Sequence, residues 1–117
     1  MKIKDVMAED VKIINVDQTI RAAAQKMAES KTGVLTVKDN SNIVGMITDR
    51  DIVVRAIAKG ENPEETMVRE IMTPEVVYSF EDQSINDATK KMRTNKIRRL
   101  LVLNRNKKPI GMVTLVP

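Results

Sequence analysis

The heptapeptide Gly-Met-Ile-Thr-Asp-Arg-Asp, residues 45–51, carries the most specific chemistry in the chain. The segment Ile43 to Ile47 reads as a strand that ends at Thr48, and an apolar helical pattern (Ile52, Val53, Ala56, Ile57) follows it up to Gly60. A strand that turns into a helix leaves unpaired backbone amides and a positive helix end at the junction, which suits an anion. The Thr48 hydroxyl can donate to a phosphate or hydroxyl oxygen there. Asp51 comes one turn later, and its carboxylate can accept two hydrogen bonds from vicinal hydroxyls such as those of a ribose. The same residue types also make a helix cap that needs no ligand.

A carboxylate repels phosphate, so phosphates would point away from Asp51 and need cations elsewhere. From Ala88 onward the chain has nine Lys and Arg and no Asp or Glu, whereas Glu61 to Asp87 has eight acids against Arg69 alone. Lys90, Lys91, Lys107 and Lys108 read as a solvated face. Arg98 and Arg99 differ, because they sit at a helix-to-strand junction beside Ile97 and Leu100, where Arg can grip phosphate with two parallel donors. The competing role for them is a surface ion pair with the acidic stretch. Alternation along a strand keeps the two from facing the same way.

The elements that position these groups occur twice. Moved forward by 65 positions, residues 5–37 fall on 70–102, so that Asp17-Gln18-Thr19-Ile20 meets Asp82-Gln83-Ser84-Ile85 and Lys26-Met27 meets Lys91-Met92. An offset of 66 then places Val44-Gly45-Met46-Ile47-Thr48 on Ile110-Gly111-Met112-Val113-Thr114. In the first copy the pattern predicts a strand at Val11–Ile14 and a helix capped by Asp17 or Thr19 that carries Ile20, Ala23, Ala24, Met27 and Ala28. Gly33 follows, then a strand from Val34 to Val37, a polar turn at 38–42, and the strand and helix of the heptapeptide. The expected fold is therefore α/β (α+β): two β-α-β-β-α repeats packed with pseudo-two-fold symmetry. Repeat 1 spans 1–60, a charged linker 61–67, and repeat 2 spans 68–117, without its last helix. A cleft is expected where the two meet. Met27 and Met92 read as core filler.

Composition limits the function. A chain of 117 residues suffices for one compact domain, and each half alone would be marginal. With 42% hydrophobic and 31% charged residues it is globular, and only Tyr78 and Phe80 are aromatic. There is no Cys, which excludes disulfides and fits a reducing compartment, and no His, which removes the usual general base. No nucleophile–base pair or metal cluster can be assembled, so an enzyme is not expected. No apolar run reaches membrane-spanning length and no signal-peptide pattern is present, which predicts a cytoplasmic protein away from membranes. The net charge of +4 and a pI of about 9.5 admit nucleic-acid binding through the basic 88–108 stretch. The lack of stacking aromatics there counts against it. A structural dimerisation module with empty clefts is the other alternative.

The entry patterns Asp-Val-Met (5–7) and Glu-Ile-Met-Thr-Pro (70–74) fall in register, and with Ile-Arg-Arg-Leu (97–100) and the Gly-x-x-Thr-x-x-Asp frame of 45–51 they extend over essentially the whole chain. In this the chain resembles a tandem pair of cystathionine-β-synthase-type (CBS) domains, a Bateman module. The resemblance implies that Thr48 and Asp51 hold the ribose and phosphate of an adenine nucleotide, with Arg50 grouped beside them, and that Arg98 and Arg99 hold phosphates. It favours the ligand role for Asp51, since a cap at Thr48 or Asp49 leaves that carboxylate no structural task. The base would lie among Met46, Ile47, Val77 and Tyr78. The implied ligand is AMP, ADP or ATP, with S-adenosylmethionine or NAD as further possibilities. The implied role is a non-catalytic sensor that signals by conformational change to an effector protein or a second copy, commonly as a homodimer. Pro117 stands where the second Asp would fall, so one competent site is expected. Thr36 and Leu101 replace a proline that many members carry, which alters the base pocket.

Overall fold

The computed structural model describes residues 1–9 and 11–115. Both copies form the expected mixed α+β arrangement. In the first, β1 (Ile13–Asn15) precedes α1 (Ile20–Ser30), β2 (Val34–Asp39) and β3 (Asn42–Thr48). The helical segment after β3 begins as α2 (Asp49–Asp51), widens into a π-turn over Ile52–Ala56 and tightens to 3-10 over Ile57–Lys59. In the second, β4 (Tyr78–Phe80), α4 (Ile85–Thr94), β5 (Arg99–Leu103) and β6 (Pro109–Thr114) repeat the order, and the short α3 (Val68–Ile71) precedes them. Each copy forms a three-stranded sheet with the second strand in the middle, parallel to the first and antiparallel to the third.

Local signals explain most boundaries. Thr19 and Ser84 cap α1 and α4 by accepting from the amides of Ala22 and Asp87. Lys31 (φ 54°) and Lys96 (φ 56°), which the repeat superposes, take the left-handed conformation just after those helices. Gly60, at φ 77°, ends the helical segment. Of the four apolar residues expected to anchor that segment, only Ile52 and Ala56 are buried; Val53 and Ile57 are more than half exposed. The π-turn carries the apolar stripe off the i, i+4 face that regular winding would give it.

Two compact units emerge: Lys12–Val76 forms one, and Met1–Val11 with Val77–Pro117 the other. Each sheet is therefore completed by the leading segment, or strap, of the opposite copy. In the unit of the first copy, Val68 is fully buried in its core, its amide donates to Gln18 O, and Thr73 forms an isolated antiparallel bridge with Met46 on β3. In the other unit, Ile3 is fully buried, its amide donates to Gln83 O, and Ala8 bridges Met112 beside β6. Burying Ile3 or Val68 in this way is worth about 2 kcal/mol each. The matching glycines have a structural cause here. A Cβ on Gly45 would sit 2.5 Å from Thr73 O, and one on Gly111 would sit 2.6 Å from Met7 Sδ and 2.9 Å from Ala8 O. Glycine is what lets the strap backbone lie against the sheet edge.

Each core lies on one face of its sheet. Ile14, Leu35, Val37 and Ile47 pack with Ala23, Met27, Ile52 and Val68 in one unit; Leu100, Val102 and Val113 pack with Ile3, Ala88 and Met92 in the other. Met27 and Met92 are core residues, as their spacing suggested. Thr36 and Ser79 are fully buried, and neither hydroxyl has a hydrogen-bond partner among the described residues.

Candidate functional site

The junction at Thr48 is built as a reciprocal cap. Asp51 N donates to Thr48 Oγ1, and Thr48 N donates to Asp51 Oδ2, each at 3.0 Å. Asp51 therefore has a structural task, contrary to the expectation that a cap at Thr48 or Asp49 would leave it none. As the third residue of the helix it closes a capping box, with Asp where Glu is usual. The cap uses one carboxylate oxygen. The other, Oδ1, lies 4.0 Å from Arg55 Nη1, beyond hydrogen-bond distance. The Asp51 side chain keeps 15% of its surface exposed, so it is not sealed from solvent. Asp49 stands against Gly33, where a Cβ would come within 2.7 Å of its Oδ2, and its amide donates to Gly33 O. Arg50 is exposed, and its amide donates to Asp49 Oδ1.

The residues expected to line a base pocket divide between the two units, Met46 and Ile47 in one and Val77 and Tyr78 in the other. Ile47 is wholly buried in the core of its unit, so its side chain lines no pocket, and Val77 packs against the other core. Ile47→Ala is expected to cost about 3 kcal/mol in urea denaturation, as a large-to-small core change. Met46 lies on the opposite sheet face with Thr36 and Ile13, and its amide and carbonyl are both bonded to Thr73. Tyr78 occupies the non-core face of its own sheet, in register with Leu101 and edge-on to Phe80 at 5.6 Å.

Lys91 is not part of a solvated face. It is half-buried, and its Nζ donates to Tyr78 O at 2.6 Å, as Lys26 Nζ donates to Ile13 O in the first copy. The matched lysines each hold the first residue of the first strand of their copy. Arg105 is also committed: it binds Asp82 through two nitrogens at 2.8 and 2.9 Å and stacks over Phe80 at 4.2 Å. This hydrogen-bonded guanidinium holds the Asp82 carboxyl below its ordinary range. Because the folded value is depressed, the pair stabilises at neutral pH, and its contribution disappears as pH falls through the folded value. The stability difference between the wild type and Arg105→Gln is expected to be small at pH 7 and to vanish in acid, which denaturation curves across pH will check.

Arg98 and Arg99 are exposed. Arg99 pairs in register with Thr114 and shares the non-core face of β5 with Leu101 and Leu103, while Arg98 lies before the strand and its carbonyl accepts from Leu115 N. Pro117, set against Asp51 by the repeat, lies outside the described residues. Sequence reasoning missed Arg55, whose Nη1 donates to Met72 O at 3.2 Å. The only signal for it was its position one helical turn after Asp51. Among the described residues no helix is long and apolar enough to cross a membrane.

The CBS domain family model matches residues 3–57 and 68–116, one match to each copy. The chain belongs to the CBS domain family. This tandem CBS pair is 35% identical over 116 residues to an uncharacterized protein of Methanopyrus kandleri, a match that takes in 98% of the chain and 59% of that relative's length. Its fold is similar to the crystal structure of Hypoxic Response Protein I with two coordinated zinc ions, at a TM-score of 0.83 and 30% identity, over 97% of this chain and 92% of that one. At 21% identity the likeness is one of fold alone to a CBS domain protein of Pyrobaculum aerophilum complexed with AMP, with a TM-score of 0.87 over 97% of this chain and 87% of that one. The CBS pair has no His or Cys, and no cluster of three or more candidate ligands occurs among its described residues.

Proposed function

We propose that this CBS pair is a non-catalytic, cytoplasmic ligand sensor that binds an adenosyl nucleotide (AMP, ADP or ATP) and passes the change to an effector protein or a second copy of itself. The observation that carries the proposal is the half-used carboxylate of Asp51. The cap fixes its orientation through Oδ2 and does not use Oδ1, to which a ribose diol can donate. That the same fold holds AMP in the Pyrobaculum aerophilum protein supports the ligand class. Arg98 and Arg99 are the proposed phosphate donors, with Arg99 preferred because its place on the strand directs it to the non-core face. Calorimetric titration with AMP, ADP, ATP, NAD and S-adenosylmethionine tests the proposal. Binding of at least one adenosyl ligand is expected; binding of none defeats it.

One observation keeps polyanion binding as a second reading. Lys90, Arg93, Lys96, Arg98, Arg99, Lys107 and Lys108 are all exposed, and among the described residues none of them makes an ion pair. Affinity that falls steeply with salt, together with indifference to mononucleotides, would favour it.

A further inference from the structure

Arg55 touches two parts of its unit that the sequence keeps apart. Its Nη1 donates to the Met72 carbonyl at 3.2 Å, and the same nitrogen lies 4.0 Å from Asp51 Oδ1. Met72 precedes Thr73, whose amide and carbonyl exchange hydrogen bonds of 2.8 and 3.0 Å with Met46 on β3. This is where the strap docks, against the surface left open by Gly45. We propose that Arg55 is a positioning residue that couples the state of the Asp51 carboxylate to the docking of the Met72–Pro74 strap on β3.

One nitrogen serves two oxygens, and it is hydrogen-bonded to only one of them. The carboxylate draws Nη1 away from the Met72 carbonyl without completing a hydrogen bond of its own. When Oδ1 is occupied by two donors its charge is shared, and Nη1 settles on Met72 O. The strap then sits more firmly on β3. Beyond the strap the chain runs through Glu75 and Val76 into Val77, one of the two points at which it passes from one unit into the other. The Arg55 side chain is 45% exposed, so solvent screens the attraction and the expected effects are modest. The ligand half of this inference rests on the proposed function; the coupling itself does not.

Amide hydrogen exchange at Thr73 in the full chain tests it. Asp51→Asn removes the charge but leaves an oxygen to accept from Thr48 N, so the cap persists. In the free protein Asp51→Asn is expected to slow Thr73 exchange roughly threefold, a change of the size that coupled neighbours show. Arg55→Met is expected to speed that exchange. In the Arg55→Met background Asp51→Asn is expected to have no effect. Persistence of the Asp51→Asn effect without Arg55, or its absence in both backgrounds, overturns the coupling. In a second arm AMP is added: protection of Thr73 in the wild type, with binding but no protection in Arg55→Met, supports it. Equal protection in both overturns it. Failure of AMP to bind counts against the proposed function, and the mutant cycle still decides the role of Arg55.

Discussion

Gly45→Ala lowers the stability of the chain by about 2–3 kcal/mol in urea denaturation, the cost of forcing a group into a filled space. The new Cβ would meet Thr73 O at 2.5 Å and Met72 Sδ at 3.0 Å, and the first of these is backbone. Relief requires the strap to move off β3 and give up its two hydrogen bonds with Met46. Gly111→Ala, the counterpart in the repeat, is expected to cost less. Its nearest neighbour is the flexible Met7 side chain, with Ala8 O at 2.9 Å behind it. Gly60→Ala is the control: nothing lies within 4 Å of its Cβ position, and only its φ of 77° is unfavourable, at about 1 kcal/mol. The expected order of cost is Gly45, then Gly111, then Gly60. A cost for Gly45→Ala no greater than that of Gly60→Ala would mean that the strap does not lie as described.

Asp51→Ala has two separable effects. It breaks the capping box and destabilises the chain by about 1 kcal/mol. If the proposed function holds, it also weakens adenosyl nucleotide binding about a hundredfold, because two hydrogen bonds to a charged acceptor are lost. Thr48→Ala separates the two effects. It removes the oxygen that accepts from Asp51 N, costing a similar amount of stability, and with it one neutral hydroxyl contact to the ligand, but leaves the carboxylate to read the sugar. Thermal denaturation is expected to rank the two variants together, and titration to rank them well apart. Equal affinities for both would reduce Asp51 to its cap.

The strands and helices were legible because their signals are local. Thr19, one of the two expected caps, caps α1 and its repeat counterpart Ser84 caps α4, Gly60 stops the helix, and the Val34 and Leu100 runs form the central strands. The strap exchange was not legible. Moving residues 1–11 from one copy to the other leaves the period, the pattern and the composition unchanged, so a repeat marks equivalence and not partnership. Gly45 and Gly111 held the clue, since a glycine inside a strand marks a close backbone approach. At the candidate site the expectation that Asp51 lacked a structural task was wrong, because a reciprocal cap uses the spacing of Thr48 and Asp51. Ile47 was misplaced for a simpler reason. Side chains alternate along β3, so Met46 and Ile47 face opposite sides, and the residue with the larger core neighbourhood is taken from the surface. Arg55 and Lys91 were hidden because their partners are backbone carbonyls, which a sequence does not display.

Calorimetric titration of the intact chain with AMP and with 2′-deoxy-AMP tests the central claim most directly. The claim is that the Asp51 carboxylate reads a vicinal diol, so AMP should bind, and loss of one hydroxyl should weaken binding about tenfold. Equal affinity for the two nucleotides, or no binding of AMP, would contradict it.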